Sequence, residues 1–243
     1  MTQISILGCG WLGLPLAKSL LQNGFSIKGS TTSLKKIFPL QSAGITPFLV
    51  RLEEHQISES IADFLANPPT NEDSDVARLL GSLLEFPKPL IAAVKGNAVG
   101  VGTTMLLHCD VVIAGPTANF SMPFASLGLV PEAGSSFLFP QLVGYQRAAR
   151  IFMTGESFDA DAAIEMGLVT AKDSDPLAHA VKIAQHIAEQ PPQAIINTKA
   201  LLKAKNHDAV AAIMKAEFEI FAMALQSDEA MEAFMKFMSK KGK

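Results

Sequence analysis

The chain has 243 residues, 49% of them hydrophobic and 18% charged, which supplies a packed core for one large domain or two small ones and excludes a disordered chain. A formal net charge of −3 gives no electrostatic reason to expect nucleic acid or an anionic membrane as partner. Cys9 and Cys109 stand far apart and make neither a disulfide framework nor a structural zinc site, so no metal is expected.

The opening Thr2–Trp11 has no basic n-region, and no run reaches the roughly 18 apolar residues of a membrane span, so a cytoplasmic protein is expected. Ile4–Leu7 is an apolar run suited to a buried strand, and Leu12–Leu21 has helical spacing. Phe25–Gly29 predicts a second strand, Ser33–Ala43 a helix limited by Pro39, and Ile45–Leu52 a third strand. The order β-α-β-α-β is half of a nucleotide-binding sheet. Ala66–Asp75 is polar and proline-broken and reads as a linker. Beyond it, Val76–Glu85 is an amphipathic helix stopped by Pro87-Lys88-Pro89, and Leu90–Val94 is a buried strand. A glycine-rich turn leads into a helix near Thr103–His108, followed by a buried strand at Val111–Ala114 and a short edge-like strand at Phe120–Met122. Helices are predicted at Ser135–Leu142, Tyr145–Thr154 and Ala160–Met166, then at 176–189, 191–204, 207–226 and 228–239. The fold class is α/β, with an N-terminal half-Rossmann segment over 1–61 joined to a second domain over 62–243, whose core runs to about residue 175 before the C-terminal helices.

Gly8-Cys9-Gly10-Trp11-Leu12-Gly13 is a GxGxxG turn between a predicted strand and helix. Gly8 would permit the tight turn, Gly10 the approach of a pyrophosphate, and Gly13 close helix packing. The acid that usually holds the ribose hydroxyls is replaced by Gly29-Ser30-Thr31-Thr32-Ser33 with Lys35 and Lys36 nearby, which suits NADP better than NAD. The first 55 residues or so resemble the start of NAD(P)-dependent sugar epimerase-like proteins. Tyr145 has Ala149 four residues on, so the Tyr-x-x-x-Lys pair of that chemistry is absent. NADP or NAD is expected to bind weakly if at all.

The rest of the chain carries a different set of blocks. They are Pro87–Val94, Gly96–Gly102, Cys109-Asp110, Phe120–Pro123, Leu127–Pro131, Thr154-Gly155 and Gly167–Val169. In order and spacing they resemble the enoyl-CoA hydratase/isomerase (crotonase) family from about residue 61 onward. The resemblance implies a truncated crotonase-like core, an acyl-CoA thioester substrate, a role in fatty-acid metabolism, and a homo-oligomer of trimer type. It places an oxyanion-hole donor on the N–H of Val101, with Ala98, Gly100, Gly102 and Phe124 at the substrate. A fixed N–H there stabilises the charge that develops on the thioester oxygen when an α-proton leaves. The bare backbone around Gly96, Gly100 and Gly102 allows a ligand to come close.

The acid–base residue decides the reaction. The positions where the family's hydratases carry two water-holding glutamates are Thr104 and Phe124 here, and neither transfers protons at neutral pH. Glu132, in Pro131-Glu132-Ala133-Gly134-Ser135-Ser136, stands where the family's enoyl-CoA isomerases carry their single catalytic glutamate. Leu127, Leu129, Val130, Phe137 and Phe124 surround it in sequence, and desolvation would raise its pKa toward the range of a general base. The competing reading is that Glu132 caps the helix beginning near Ser135. His108 and Cys109 read as core residues, and Asp110 as a structural hydrogen-bonding group.

Before Ala62-Asp63-Phe64 stands His55–Ile61, with no Ala-Gly pair. The loop that supplies the family's first oxyanion donor is therefore expected to be missing, and the chain looks like a fusion or chimera of two truncated parts. Two functions follow. One is isomerisation of a 3-enoyl-CoA to a 2-enoyl-CoA by Glu132, needing no cofactor. The alternative is a catalytically impaired or NAD(P)-binding protein in which the crotonase-like part is scaffold.

Overall fold

The computed structural model describes residues 3–6, 26–31, 46–49 and 74–240. Two compact units divide the chain, Met1–Ala66 and Asn67–Lys243. In the first, β1 (Gln3–Ile6), β2 (Ser26–Thr31) and β3 (Thr46–Leu49) form a parallel sheet in the order β1-β2-β3, with Ile4 opposite Ile27 and Gly29 opposite Pro47. The glycine turn Gly8–Gly13, the predicted helices Leu12–Leu21 and Ser33–Ala43, and the segment His55–Ile61 lie outside the described residues.

The second unit opens with α1 (Asp75–Glu85), whose N-cap Ser74 accepts the Ala77 N–H at 3.2 Å. The helix ends where Phe86 turns extended, the conformation forced on a residue ahead of Pro87. Two small sheets follow. In one, β4 (Ile91–Val94), β6 (Val111–Ala114) and β9 (Ala171–Lys172) run parallel in the order β4-β6-β9. In the other, β5 (Asn97–Val99) pairs parallel and β8 (Phe158–Asp159) antiparallel with a central β7 (Asn119–Ser121). The sequence predicts an edge strand at Phe120–Met122; the strand is instead the middle one, and Phe120 and Met122 are fully buried. Its partners β5 and β8 are only three and two residues long, too short to leave a periodic signal.

The core gathers around these strands. Ile113, Phe120 and Phe139 are wholly shielded, and the Phe158 ring stacks on Phe120 at 5.6 Å and on Phe139 at 6.4 Å. Seven further segments complete the described fold after β7. These are α3 (Ser135–Val143), α4 (Tyr145–Thr154), α5 (Ala160–Glu165), α6 (Pro176–Ala188), α7 (Pro192–Ala204), α8 (His207–Leu225) and α9 (Asp228–Lys240), numbered after the short α2 (Val101–Thr104). α6 packs on β4 and β6, and α8 packs on both α1 and α3. α9 lies against a 3₁₀ turn, Ala125–Leu127. A Cβ on the following Gly128 would come within 2.9 Å of the Ala230 backbone, so only glycine lets α9 approach this closely. Among the described residues no helix is long and apolar enough to cross a membrane.

Candidate active site

The site begins at the passage from β5 to α2. Gly100 has φ 57° and ψ −122°, a conformation open to glycine alone, and its N–H donates to Ser121 O at 2.9 Å. Its carbonyl accepts the N–H groups of Thr103 and Thr104 at 2.8 and 3.0 Å. The helix therefore starts at Val101, two residues earlier than the predicted Thr103, and continues from Thr104 into a 3₁₀ turn, Met105–His108. As the first residue of α2, Val101 carries an N–H that the helix geometry leaves without an intrahelical acceptor. Buried Thr103 locks the passage by donating to Ala98 O at 2.7 Å and lying 3.1 Å from Ser121 O. Ala98 thus has a buried side chain and a carbonyl engaged by the scaffold. Gly102 is helical, and a Cβ there would meet nothing within 4 Å, so the turn's geometry requires glycine at Gly96 and Gly100 but not at Gly102.

α2 also reaches Glu132. The hydroxyl of Thr104, wholly buried, donates to Glu132 Oε1. Val101 and Thr104 are the first and last residues of this single turn, roughly 4.5 Å apart along its axis by helical rise. Glu132 Oε2 is buried and has no hydrogen-bond partner among the described residues. Burial pushes the Glu132 carboxyl up to about 7; the Thr104 hydrogen bond opposes that rise, and the charge of Glu217 adds to it. A carboxyl poised there can take and return a proton near neutrality.

Glu132 sits on a turn that is held from several sides. Ala133 and Gly134 are both left-handed, at φ 63° and 70°, and for alanine that conformation costs about 1 kcal/mol. His108 Nε2 lies 2.7 Å from Ala133 O; burial lowers the His108 pKa, so the neutral ring donates that bond. Glu217, from α8, accepts the Gly134 N–H at 2.6 Å and the Ser136 N–H at 2.8 Å. Those are the amides of the N-cap and of the second residue of α3, and the N-cap Gly134 has no side chain of its own to offer; the Ser135 N–H between them donates to the Glu132 carbonyl at 3.1 Å. The capping role that the sequence leaves open for Glu132 is therefore filled by Glu217, and sequence reasoning missed it. The sequence carries no signal for it, since Glu217 and Glu219 alternate with Phe218 and Ile220 and nothing in that pattern tells which is buried.

Phe124 is buried, and its ring edge lies 3.9 Å from where a Gly100 Cβ would stand. Its carbonyl accepts the N–H groups of Leu127 and Leu129, both at 2.9 Å. The wall beside Gly100 is thus apolar. Asp110 Oδ2 accepts the Leu90 N–H at 2.6 Å and Lys199 Nζ at 2.7 Å, and Lys199 also donates to Lys88 O at 2.7 Å. Lys203 Nζ donates to His108 O at 3.2 Å. Burial raises the Cys109 thiol to about 11, which removes it as a nucleophile at neutral pH. No group of three His, Cys, Asp or Glu among the described residues is placed to hold a metal. Gly8, Gly10 and Gly13, the expected cofactor residues, lie outside the described residues.

Residues 59–243 match the family model described as Enoyl-CoA hydratase/isomerase. Over 166 residues the chain is 34% identical to 2,3-dehydroadipyl-CoA hydratase of Escherichia coli (strain K12), covering 68% of this chain and 65% of that protein. It is 33% identical to Enoyl-CoA delta isomerase 2 of Homo sapiens over 166 residues, covering 68% of this chain and 42% of that protein. The chain thus spans less than two thirds of the length of these curated relatives. Its structure resembles that of Pseudomonas aeruginosa OdaA with a TM-score of 0.72 at 36% identity, covering 92% of this chain and 86% of the other. It also resembles an enoyl-CoA hydratase/isomerase from Pseudoalteromonas atlantica T6c, with a TM-score of 0.71 at 29% identity, covering 98% and 94%. The expected half-Rossmann segment and fusion rest on residues 1–61, most of which lie outside the described residues.

Proposed function

Since the chain belongs to the enoyl-CoA hydratase/isomerase family, we propose that it acts on an acyl-CoA thioester and moves the double bond of a 3-enoyl-CoA to the 2-position. Glu132 Oε2 takes a proton from C2. The electron pair spreads into a dienolate whose charge rests on the thioester oxygen, where the Val101 N–H donates to it. Glu132 returns the same proton at C4, and the double bond ends between C2 and C3. The reaction conserves atoms and electrons, so its chemistry requires no redox cofactor.

The observation that carries this reading is the state of Glu132, with one oxygen fixed by Thr104 and the other buried and unpartnered among the described residues. Thr104 and Phe124 support it, because they stand where the resemblance gives hydratases their water-holding acids. The likeness to a protein named a hydratase supports a second reading, in which Glu132 alone activates water. Incubation with matched 3-enoyl- and 2-enoyl-CoA separates the two. Conversion of the first to the conjugated thioester at unchanged mass supports isomerisation, and gain of one water by the second supports hydration. A chain that does neither is scaffold; micromolar NADP affinity lost in Gly10→Val would then make it a nucleotide-binding protein. The homo-oligomer implied by the resemblance is part of the proposal. Met223 of α8 and Met231 and Met235 of α9 present exposed apolar surface for such contacts, and sedimentation reads the oligomer directly.

A further inference from the structure

We propose that Glu217 is a positioning residue for this reaction, whose two carboxylate oxygens occupy the Gly134 and Ser136 amides at the start of α3 and so keep the Glu132 carboxylate from turning inward to cap that helix. The inference rests on the reading of Glu132 as the base. Glu217 is almost wholly buried, and its oxygens divide between Gly134 N and Ser136 N at 2.6 and 2.8 Å. Two N–H donors, one to each oxygen, select the ionised form, although burial pushes its pKa upward. Without Glu217, two buried or half-buried amides at a helix N-terminus would lack an acceptor, which a fold strongly resists. The carboxylate nearest them along the chain is Glu132, two residues before Gly134, and its Oε2 is unpartnered among the described residues. A local Pro-Glu-Ala-Gly-Ser-Ser turn would cap itself with that glutamate. Here a second glutamate, brought from more than 80 residues away, takes the amides instead.

Among the described residues, the charge that acts on Glu132 is that of Glu217. The 3₁₀ turn contributes His108, neutral and bound to Ala133 O. α2 contributes the uncharged Thr104, α1 contributes Leu80 and Leu83, and α8 adds Met214 beside Glu217. Replacing the Glu217 carboxylate by an amide removes a neighbouring negative charge and leaves one of the two N–H groups without its acceptor, open to Glu132. Both changes stabilise ionised Glu132 and lower its pKa.

The test is a carbon-13 NMR titration of the Glu132 carboxyl, assigned by its loss in Glu132→Gln, in wild type and Glu217→Gln without substrate. Steady-state kinetics on a 3-enoyl-CoA run beside it. The wild-type midpoint should lie near 7 and fall toward the ordinary carboxylate range in the variant, while kcat drops about 10- to 100-fold and KM holds. Glu217→Asp, which keeps the charge on a shorter stem, should move both readouts in the same sense by less, and it serves as the test if Glu217→Gln does not fold. A folded variant whose Glu132 midpoint and kcat match wild type overturns the proposal and leaves Glu217 a plain helix cap. So does a wild-type Glu132 that already titrates in the ordinary range. Absence of isomerisation in wild type refutes the function alone, since the titration still decides what Glu217 does.

Discussion

The Thr104 hydroxyl donates to Oε1 of Glu132 and so ties the end of α2 to the turn that precedes α3. This bond chooses which carboxylate oxygen is fixed and which is left to react. It also favours the ionised carboxyl, so Thr104→Val, which keeps the shape and removes the donor, should raise the Glu132 pKa above its present value of about 7. The acidic limb of kcat/KM then moves to higher pH, and the rate at neutral pH falls about tenfold. A pH–rate profile unchanged in Thr104→Val would show that the hydroxyl does not bear on the base.

Glu132 should destabilise the fold once ionised. Its folded pKa of about 7 lies above the ordinary 4.5, so between those values the folded chain holds a proton the unfolded chain has released. The stability this contributes is complete below pH 4.5 and is lost as pH rises through 7. Glu132→Gln carries no such term. Urea denaturation should find the variant more stable than wild type at pH 8, by about 3 kcal/mol, and nearly equal at pH 4. A variant weaker than wild type at pH 8 would mean that the carboxylate is structural.

Two glycines in one turn should respond in opposite directions. Gly100→Ala faces no steric wall, only a φ and ψ that alanine does not adopt, so the turn must rebuild and the Val101 N–H shifts. Turnover should fall by 100-fold or more, the scale for a lost oxyanion donor. Gly102→Ala enters open space in a helical conformation and should stabilise the chain by about 0.5–1 kcal/mol. Melting curves and turnover of the pair, measured together, check both statements.

The Asp110–Lys199 pair ties α7 to the loop after the 3₁₀ turn. Lys199 Nζ lies 2.7 Å from Asp110, and its side chain is only 7% exposed. Asp110→Ala leaves a buried ammonium without its carboxylate and should cost about 3 kcal/mol or more in urea denaturation. Asp110→Asn keeps an acceptor for the Leu90 N–H and should cost markedly less. Equal losses in the two variants would argue against a charge pair.

Much of the second unit was legible in the sequence, for physical reasons. Val111–Ala114 and Tyr145–Thr154 appear with the bounds their apolar patterns suggest, the first as an unbroken apolar run and the second long enough to show a helical period, each followed by a glycine. β5, β8 and β9 were not legible, since two or three residues carry no period. Phe120 read as an edge for the same reason, its neighbours being invisible. At the site, the family resemblance pointed to Val101, Thr104, Phe124 and Glu132. The fixing of Glu132 by Thr104 and the cap from Glu217 were hidden, because both depend on contacts across 28 and more than 80 residues. A glutamate on a helix is ordinarily a solvated group, and its spacing alone does not announce burial.

The same long reach orders events during synthesis. The Glu132 turn leaves the ribosome about 85 residues ahead of the carboxylate that holds it, an interval of roughly 4–17 seconds at common elongation rates. Once β8 has followed, the strands around Phe120 can pack, while the amides of Gly134 and Ser136 still wait for their acceptor. Competence of the site therefore comes with the docking of α8 rather than with the closing of the core, and in a refolding time course catalysis should lag behind the recovery of sheet structure.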